Sequence, residues 1–378
     1  MLLALVCGPM AAVASARSAP SATESLPTGS ITEHGWSLVP KAAAGLDADA
    51  SFAALASNGD ALLLAGERPT AGGSVRAAIW RSTDGVQWTA SAHPPTTGTV
   101  TAVAVDGETA LATGGTGRGG ESDFVWRSDD GGASWTEVAG GKGVFGAPAS
   151  EMGRPNVTGL LRHDGWWVAS GGRSDGYAAI WVSRDGARWR QVLGPNEAGS
   201  ASVVPGRAGS LLASWGRIAW FTRDVTRWGA PQAVSVPGRS YVSSVARGAT
   251  TAVAENLDRH AQPTPLLRST DGGRTWREDT NFLATFADAR VASINRAGGL
   301  WVGAGASGTS DPSGAPNHVD VWISSDLETW TPLPNELYGG AGGILSLVAA
   351  VDGRVVVVGT AGELDRYYTI DREALRRS

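Results

Sequence analysis

The side chains best equipped for chemistry in this chain are guanidinium and carboxyl groups that recur at intervals along it. They are Glu67 and Arg68; Arg118, Glu121 and Asp123; Arg173 and Asp175; Arg217; Glu255, Asp258, Arg259 and His260; Asp311 and His318; and Glu363, Asp365 and Arg366. Guanidinium forks and carboxylates around one cavity suit a carboxylated or hydroxyl-rich ligand. Two carboxyl groups about 5–10 Å apart could instead cleave a glycosidic bond. Glu255 or Asp258 opposite Glu121 or Asp175 would form such a pair. Taken singly, each of these groups reads more readily as solvated loop charge, and the binding reading rests on the set. Other chemistries find no footing. The five histidines (His34, His93, His163, His260, His318) lack zinc-ligand spacing. There is neither a Gly-x-Ser-x-Gly elbow nor a phosphate loop. No metal and no cofactor is expected.

What must position these groups is a repeat. Ser82-x-Asp84…Trp88, Ser128-x-Asp130…Trp135, Ser183-x-Asp185…Trp189, Thr222-x-Asp224…Trp228, Ser269-x-Asp271…Trp276 and Ser324-x-Asp326…Trp330 are six copies of one signature, the fourth worn. Their closing tryptophans stand 47, 54, 39, 48 and 54 residues apart. A period of roughly 40–50 residues with several short strands per unit is that of propeller blades. In each copy the Asp can accept backbone N–H groups of a tight turn. The Gly that often follows supplies a positive φ. The Trp opens the next strand and buries its ring.

These residues resemble the Asp-box, or BNR, repeat of sialidases and their relatives, and Ser269, Asp271, Gly273, Thr275 and Trp276 match its full form. The resemblance covers nearly the whole chain. It implies an all-β propeller with the boxes in structural roles on one outer rim, away from any active site. It also implies little about activity, since the repeat serves hydrolases, sorting receptors and assembly factors alike. True sialidase activity would need three substrate-binding arginines, a Tyr–Glu pair, an Asp acid/base and six blades. The Arg-Ile-Pro motif is absent, Glu67-Arg68-Pro69 and Arg154-Pro155 are poor substitutes, and only Tyr367 or Tyr368 near Glu363 approximates the pair. A non-sialidase member is therefore expected.

Reading outward from each box predicts four strands per unit. In the second unit these are Thr99–Val105, Thr109–Thr113, Asp123–Arg127 and Trp135–Val138, with a hairpin at Asp106-Gly107. Beyond the sixth box, Ile344–Val351, Val355–Gly359 and Arg366–Asp371 read as three further strands. Trp36-Ser37-Leu38-Val39-Pro40 resembles a missing fourth. The expectation is a seven-bladed propeller of four-stranded antiparallel blades over 35–378, with both termini closing one blade so that no sheet edge is left open. Residues 35 to 372 then give about 48 per blade, an ordinary size.

Residues 1–16 read as a signal-like segment ending in Ala14-Ser15-Ala16, although no Lys or Arg precedes the apolar stretch. Residues 17–34 read as a flexible linker. The single cysteine, Cys7, would be a lipid anchor only if a longer signal preceded it, and Ala4-Leu5-Val6 fits a lipobox poorly. The expected location is secreted or at the cell surface. No apolar run is long enough to span a membrane. With net charge −5 and no basic cluster, nucleic acid is excluded as a partner. Arginine replaces lysine almost everywhere (Lys41 and Lys142 excepted), which points to a GC-rich genome rather than to a function. Most of the 16 tryptophans are explained by repetition: Trp36 and the six box closers, then Trp80, Trp126, Trp181, Trp220 and Trp322 before boxes. Trp166, Trp167 and Trp301 read as buried packing. Trp215, beside the short loop Gly216-Arg217, is the ring nominated for a ligand.

In such a fold the loops between second and third strands share the face opposite the boxes. Arg68, Arg118, Glu121, Arg173, Asp175, Trp215, Arg217, Glu255, Asp258 and Arg366 are the candidate ligand residues there. The reading is a non-catalytic propeller that binds a protein or glycan. An extracellular glycoside hydrolase is the alternative, and a membrane-complex assembly role comes third.

Overall fold

A computed structural model of the chain describes residues 31–33, 36–92, 98–116, 121–140, 144–145, 153–193, 198–205, 210–215, 218–230, 232–233, 242–247, 252–256, 266–271, 275–281, 290–297, 299–307, 318–332, 344–351, 354–361 and 364–371. The signal-like segment, Cys7 and most of the expected linker lie outside them.

The strands assemble, unit by unit, into antiparallel four-stranded sheets of a β-propeller. The first sheet holds Ser51–Ser57, Leu62–Pro69, Val75–Ser82 and Thr89–Ala90. The second holds Thr99–Asp106, Thr109–Gly115, Phe124–Ser128 and Thr136–Gly140. In the third, the long strand Trp166–Ser183 pairs through its first half with Pro155–His163 and through its last residues with Arg190–Leu193. Ala198–Ser200 also pairs with it. The fourth to sixth sheets begin at Ser202–Pro205, Val242–Arg247 and Arg290–Ala297. A last sheet holds Ile344–Val351, Arg354–Ala361 and Leu364–Asp371, and Trp36–Val39 pairs with its third strand, Trp36 facing Ile370. Beyond it Ile31–Glu33 adds a fifth strand. That is a correction to the expected linker, which ran through 34.

Because both faces of a sheet are covered by neighbours, the strands are continuous apolar runs rather than alternating ones. The two-residue period then sends successive side chains to opposite neighbours. Leu62 and Leu64 join Val356 and Val358 of the last sheet, while Leu63 and Ala65 join Val100, Val103 and Trp126 of the second. Similarly Trp167 and Trp181 pack with Leu111 of the second sheet, and Val168 and Ile180 with Leu211 and Trp220 of the fourth. Each fully buried Val, Leu or Ile among them contributes about 1.5–3 kcal/mol. First strands lie beside first strands around the array, and Ile344–Val351 returns to Ser51–Ser57. The outermost strands of the first, fifth and sixth sheets are two residues long and exposed, which leaves little edge for another chain to pair with.

One irregularity recurs. The register between first and second strands slips at Phe52/Ala54, Val100/Ala102, Val157/Gly159, Val291/Ser293 and Leu345/Leu347. At each of these five slips the residue opposite is a glycine (Gly66, Gly114, Gly171, Gly305 and Gly359), whereas the slip at Val242/Val245 in the fifth sheet lies opposite Asn256. A Cβ on Gly66, Gly114 or Gly171 would lie only 1.9–2.0 Å from the carbonyl oxygen of Ser51, Thr99 or Asn156. At these three the bulge thus needs a bare backbone opposite it.

Candidate functional site

The box turns set one rim. In the first, Ser82 Oγ donates to Asp84 Oδ1 (2.8 Å) and accepts from Gly85 N (2.9 Å), while Asp84 Oδ1 accepts Val86 N and Gln87 N at 2.8 and 2.9 Å. The same pattern holds around Ser183 and Asp185, and around Ser324 and Asp326. In the two longer copies the acceptor reaches one residue further, to Ser134 N from Asp130 and to Thr275 N from Asp271, both at 2.9 Å. Their hydroxyls donate to the other carboxylate oxygen. These bonds favour the ionised acid. Asp130 is lowered to about 2, chiefly by the Ser134 hydroxyl. Asp185 is pushed well below the usual carboxylate range, first by Arg188 N–H. Asp224 is lowered too, first by the Thr226 hydroxyl.

The residue after the box Asp takes a left-handed conformation: Gly85 at φ 71°, Gly186 at 77°, and Leu327 at 64°. The fourth copy has β-branched Val225 there, which stays out of that region, and Thr222 Oγ1 accepts Asp224 N instead. That is why this copy looks worn. The closers Trp88, Trp135, Trp189, Trp276 and Trp330 are buried, and Trp228 is half-buried. The indole N–H groups of Trp135, Trp189 and Trp228 donate to carbonyls within their own turns. Four of the six boxes also receive an arginine from the preceding sheet. Arg81 Nε bonds Gly131 O (3.1 Å), Arg127 Nη1 bonds Asp185 O (3.2 Å), Arg268 Nη2 bonds Glu328 O (3.0 Å) and Arg354 Nη1 bonds Asp84 O (3.0 Å). Arg268 is itself buried against Asp279 at 2.5 Å. Sequence reading missed these arginines. Their signal was position, since three of them directly precede a box Ser.

At the opposite ends of the strands the expected loop residues come together in part. Arg68 meets Asp47 at 3.5 Å, and Glu67 accepts the Thr99 hydroxyl. Glu121 is ion-paired with Arg154, whose guanidinium is raised above its ordinary value first by that hydrogen bond. Arg173 is ion-paired with Asp175. The two pairs adjoin, because Arg154 N donates to Ser174 Oγ and Ser174 N to Arg154 O, each at 2.7 Å. Gly153 lies against Asp175, where a Cβ would stand 2.6 Å from its Cγ. Ser122 ties the second sheet to the third, its N–H donating to Pro155 O at 2.7 Å and its hydroxyl accepting Val157 N at 3.0 Å. Arg173 is 7% exposed, and its Nε and Nη1 are buried with no hydrogen-bond partner. On the same tip Tyr177 is exposed.

Several expectations need correction. Glu67, Arg68, Arg173, Asp175, Glu255 and Arg366 sit on strands rather than in loops, because the strands run on to tight hairpin tips. Trp166 is not buried but half-exposed, with the Arg184 guanidinium stacked 4.3 Å from its ring. Trp301 is likewise half-buried, with Arg296 over it at 5.7 Å. Trp167 is buried as expected. Trp215 ends the strand Leu211–Trp215, opposite Ile218. Arg118, Arg217 and Asp258 lie outside the described residues. Among the described residues no group of three or more His, Cys, Asp or Glu could hold a metal, and no helix is long and apolar enough to cross a membrane.

Fold and strand pairing define a β-propeller. Of the solved structures similar to it, the β-propeller domain of the trilobed protease from Pyrococcus furiosus, described as having an open velcro topology, matches with a TM-score of 0.54. That match covers 85% of this chain and 93% of the other at 11% identity, so what the two share is the fold. No family profile and no curated protein matches the chain.

Proposed function

We propose that this chain is an exported, non-catalytic propeller of the Asp-box kind that binds a protein or glycan through the face opposite the boxes. The observation that carries this is the state of three acids on that face. Asp47, Glu121 and Asp175 are each held by a guanidinium. A carboxyl group that must give up or take a proton is poorly served by a fixed guanidinium partner. Paired charges around an exposed Tyr177 are instead the makings of a recognition surface. The unsatisfied nitrogens of Arg173 fit the same reading, since such costs are retained at sites more than in cores.

The architecture we propose is a closed ring of seven blades. It is supported by the seven sheets of described strands, the cyclic neighbourhood of their first strands and the pairing of Trp36–Val39 with Leu364–Asp371. Export rests on the apolar residues 1–16 and their small-residue end.

The test is a glycan array and a set of fluorogenic glycosides, both applied to the purified chain. Binding without turnover, weakened tenfold or more by Tyr177→Ala or Arg154→Ala, is the expected result. Turnover abolished by Glu121→Gln or Glu255→Gln would replace this reading with the hydrolase one.

A further inference from the structure

The box face holds a feature that the loop-face reading does not use. There the first strands of the first, sixth and last sheets bound a cavity of about 400 Å³, within the size range of small-molecule sites. Leu55, Ala349 and Ala350 form apolar wall. Ser57 is spent within that wall, since its hydroxyl donates to Ala350 O at 2.5 Å and accepts Gly59 N at 3.0 Å. Asn295 and Arg296 supply the remaining polar lining, and both are exposed. Among the described residues neither side chain makes a hydrogen bond or an ion pair. This contrasts with the four arginines that latch boxes and with Arg68, Arg154 and Arg173 on the loop face, each of which is engaged. Arg296 is nevertheless positioned, because its guanidinium lies over the ring of Trp301, its cross-strand neighbour.

We propose that this cavity is a binding site for a small organic monocarboxylate. The guanidinium of Arg296 and the amide N–H of Asn295 would hold the carboxylate, as planar donors suit planar acceptors. The apolar body of the ligand would rest on Leu55, Ala349 and Ala350. Among the described residues one cation, Arg296, lines the cavity beside its apolar wall, which favours a singly charged anion with a hydrocarbon body over a multiply charged phosphate. The site is independent of the loop face.

Butyrate, benzoate and inorganic phosphate would each be titrated into the purified chain by calorimetry and ligand-observed NMR. The expected result is saturable binding of butyrate or benzoate but not of phosphate. Arg296→Gln, at an exposed position, should weaken it at least tenfold, and Ala350→Phe, which fills the cavity, should do the same. Arg154→Ala on the other face should leave it unchanged. Absence of saturable carboxylate binding, equal binding by Arg296→Gln, or binding of phosphate alone would each overturn the assignment. Arg296→Gln decides the matter even if Ala350→Phe fails to fold.

Discussion

At the scale of single residues, the box carboxylates are acids kept charged by the turns they organise. Asp130 titrates near 2 in the fold against 3.8 unperturbed, with the Ser134 hydroxyl as the largest cause. A depressed folded value means stability that is present above the unfolded value and lost as pH falls through the folded one. The loss should therefore run from about pH 4 down to about pH 2. Ser134→Ala should move the Asp130 titration, followed by carboxyl-carbon NMR, upward toward the ordinary value; an unmoved midpoint would refute the cause given. Leu327 poses a different balance. It holds φ 64° where four of the other five copies have glycine, yet it is fully buried in the cluster with Leu266, Ile294, Trp322 and Trp330. Leu327→Gly relieves backbone strain of about 1–2 kcal/mol. It also removes a buried side chain, at about 2–5 kcal/mol. Packing wins, and the variant should unfold at lower urea than wild type.

At the scale of strands and turns, much was legible because the repeat is written in residues with few alternatives. Ser, Asp, Gly and Trp at fixed spacing mark the turn, and the expected strands of the second unit match the observed ones within about two residues, the usual uncertainty of strand ends. The bulges were not read, although their signal was present. Gly66, Gly114 and Gly171 interrupt apolar strands, and an isolated strand glycine marks a bulge or a close backbone approach. What hid them is that their φ is unremarkable, so that only three-dimensional contact shows why no side chain fits. Gly114→Ala places a Cβ 1.9 Å from Thr99 O. It should cost about 1–3 kcal/mol or more, since two backbones must part. Thermal melting would show it, and a melting temperature equal to wild type would remove the steric account. The candidate site was legible by residue type but not by pairing. Glu121 and Arg154 stand 33 positions apart, and no local pattern says that they meet.

At the scale of the whole molecule, the question is what holds first and last sheets together. Trp36–Val39 pairs with Leu364–Asp371 over four residues, and Val39 is buried in the cluster that joins Leu62 and Leu64 to Val356 and Val358. Ser57 Oγ reaches Ala350 O, and Arg354 reaches Asp84 O, across the same seam. The seam thus combines a strand pairing between the chain's two ends, an apolar cluster and two polar clasps. Only the first of these could be expected from Trp36 and its resemblance to the box closers. Deleting residues 1–40 would strip the third strand of the last sheet, Leu364–Asp371, of its partner and uncover the four paired residues 367–370. An uncovered edge is a template for another chain. The truncated protein should unfold at lower urea, with a broader transition, and elute as dimers or larger species in gel filtration. Retention of the wild-type midpoint and a monomeric elution would mean that the apolar cluster and the two clasps hold the seam without the strand. In that case Val39→Ala and Arg354→Ala in the full chain, measured singly and together, would divide the work between them, with non-additivity expected because both act on one interface.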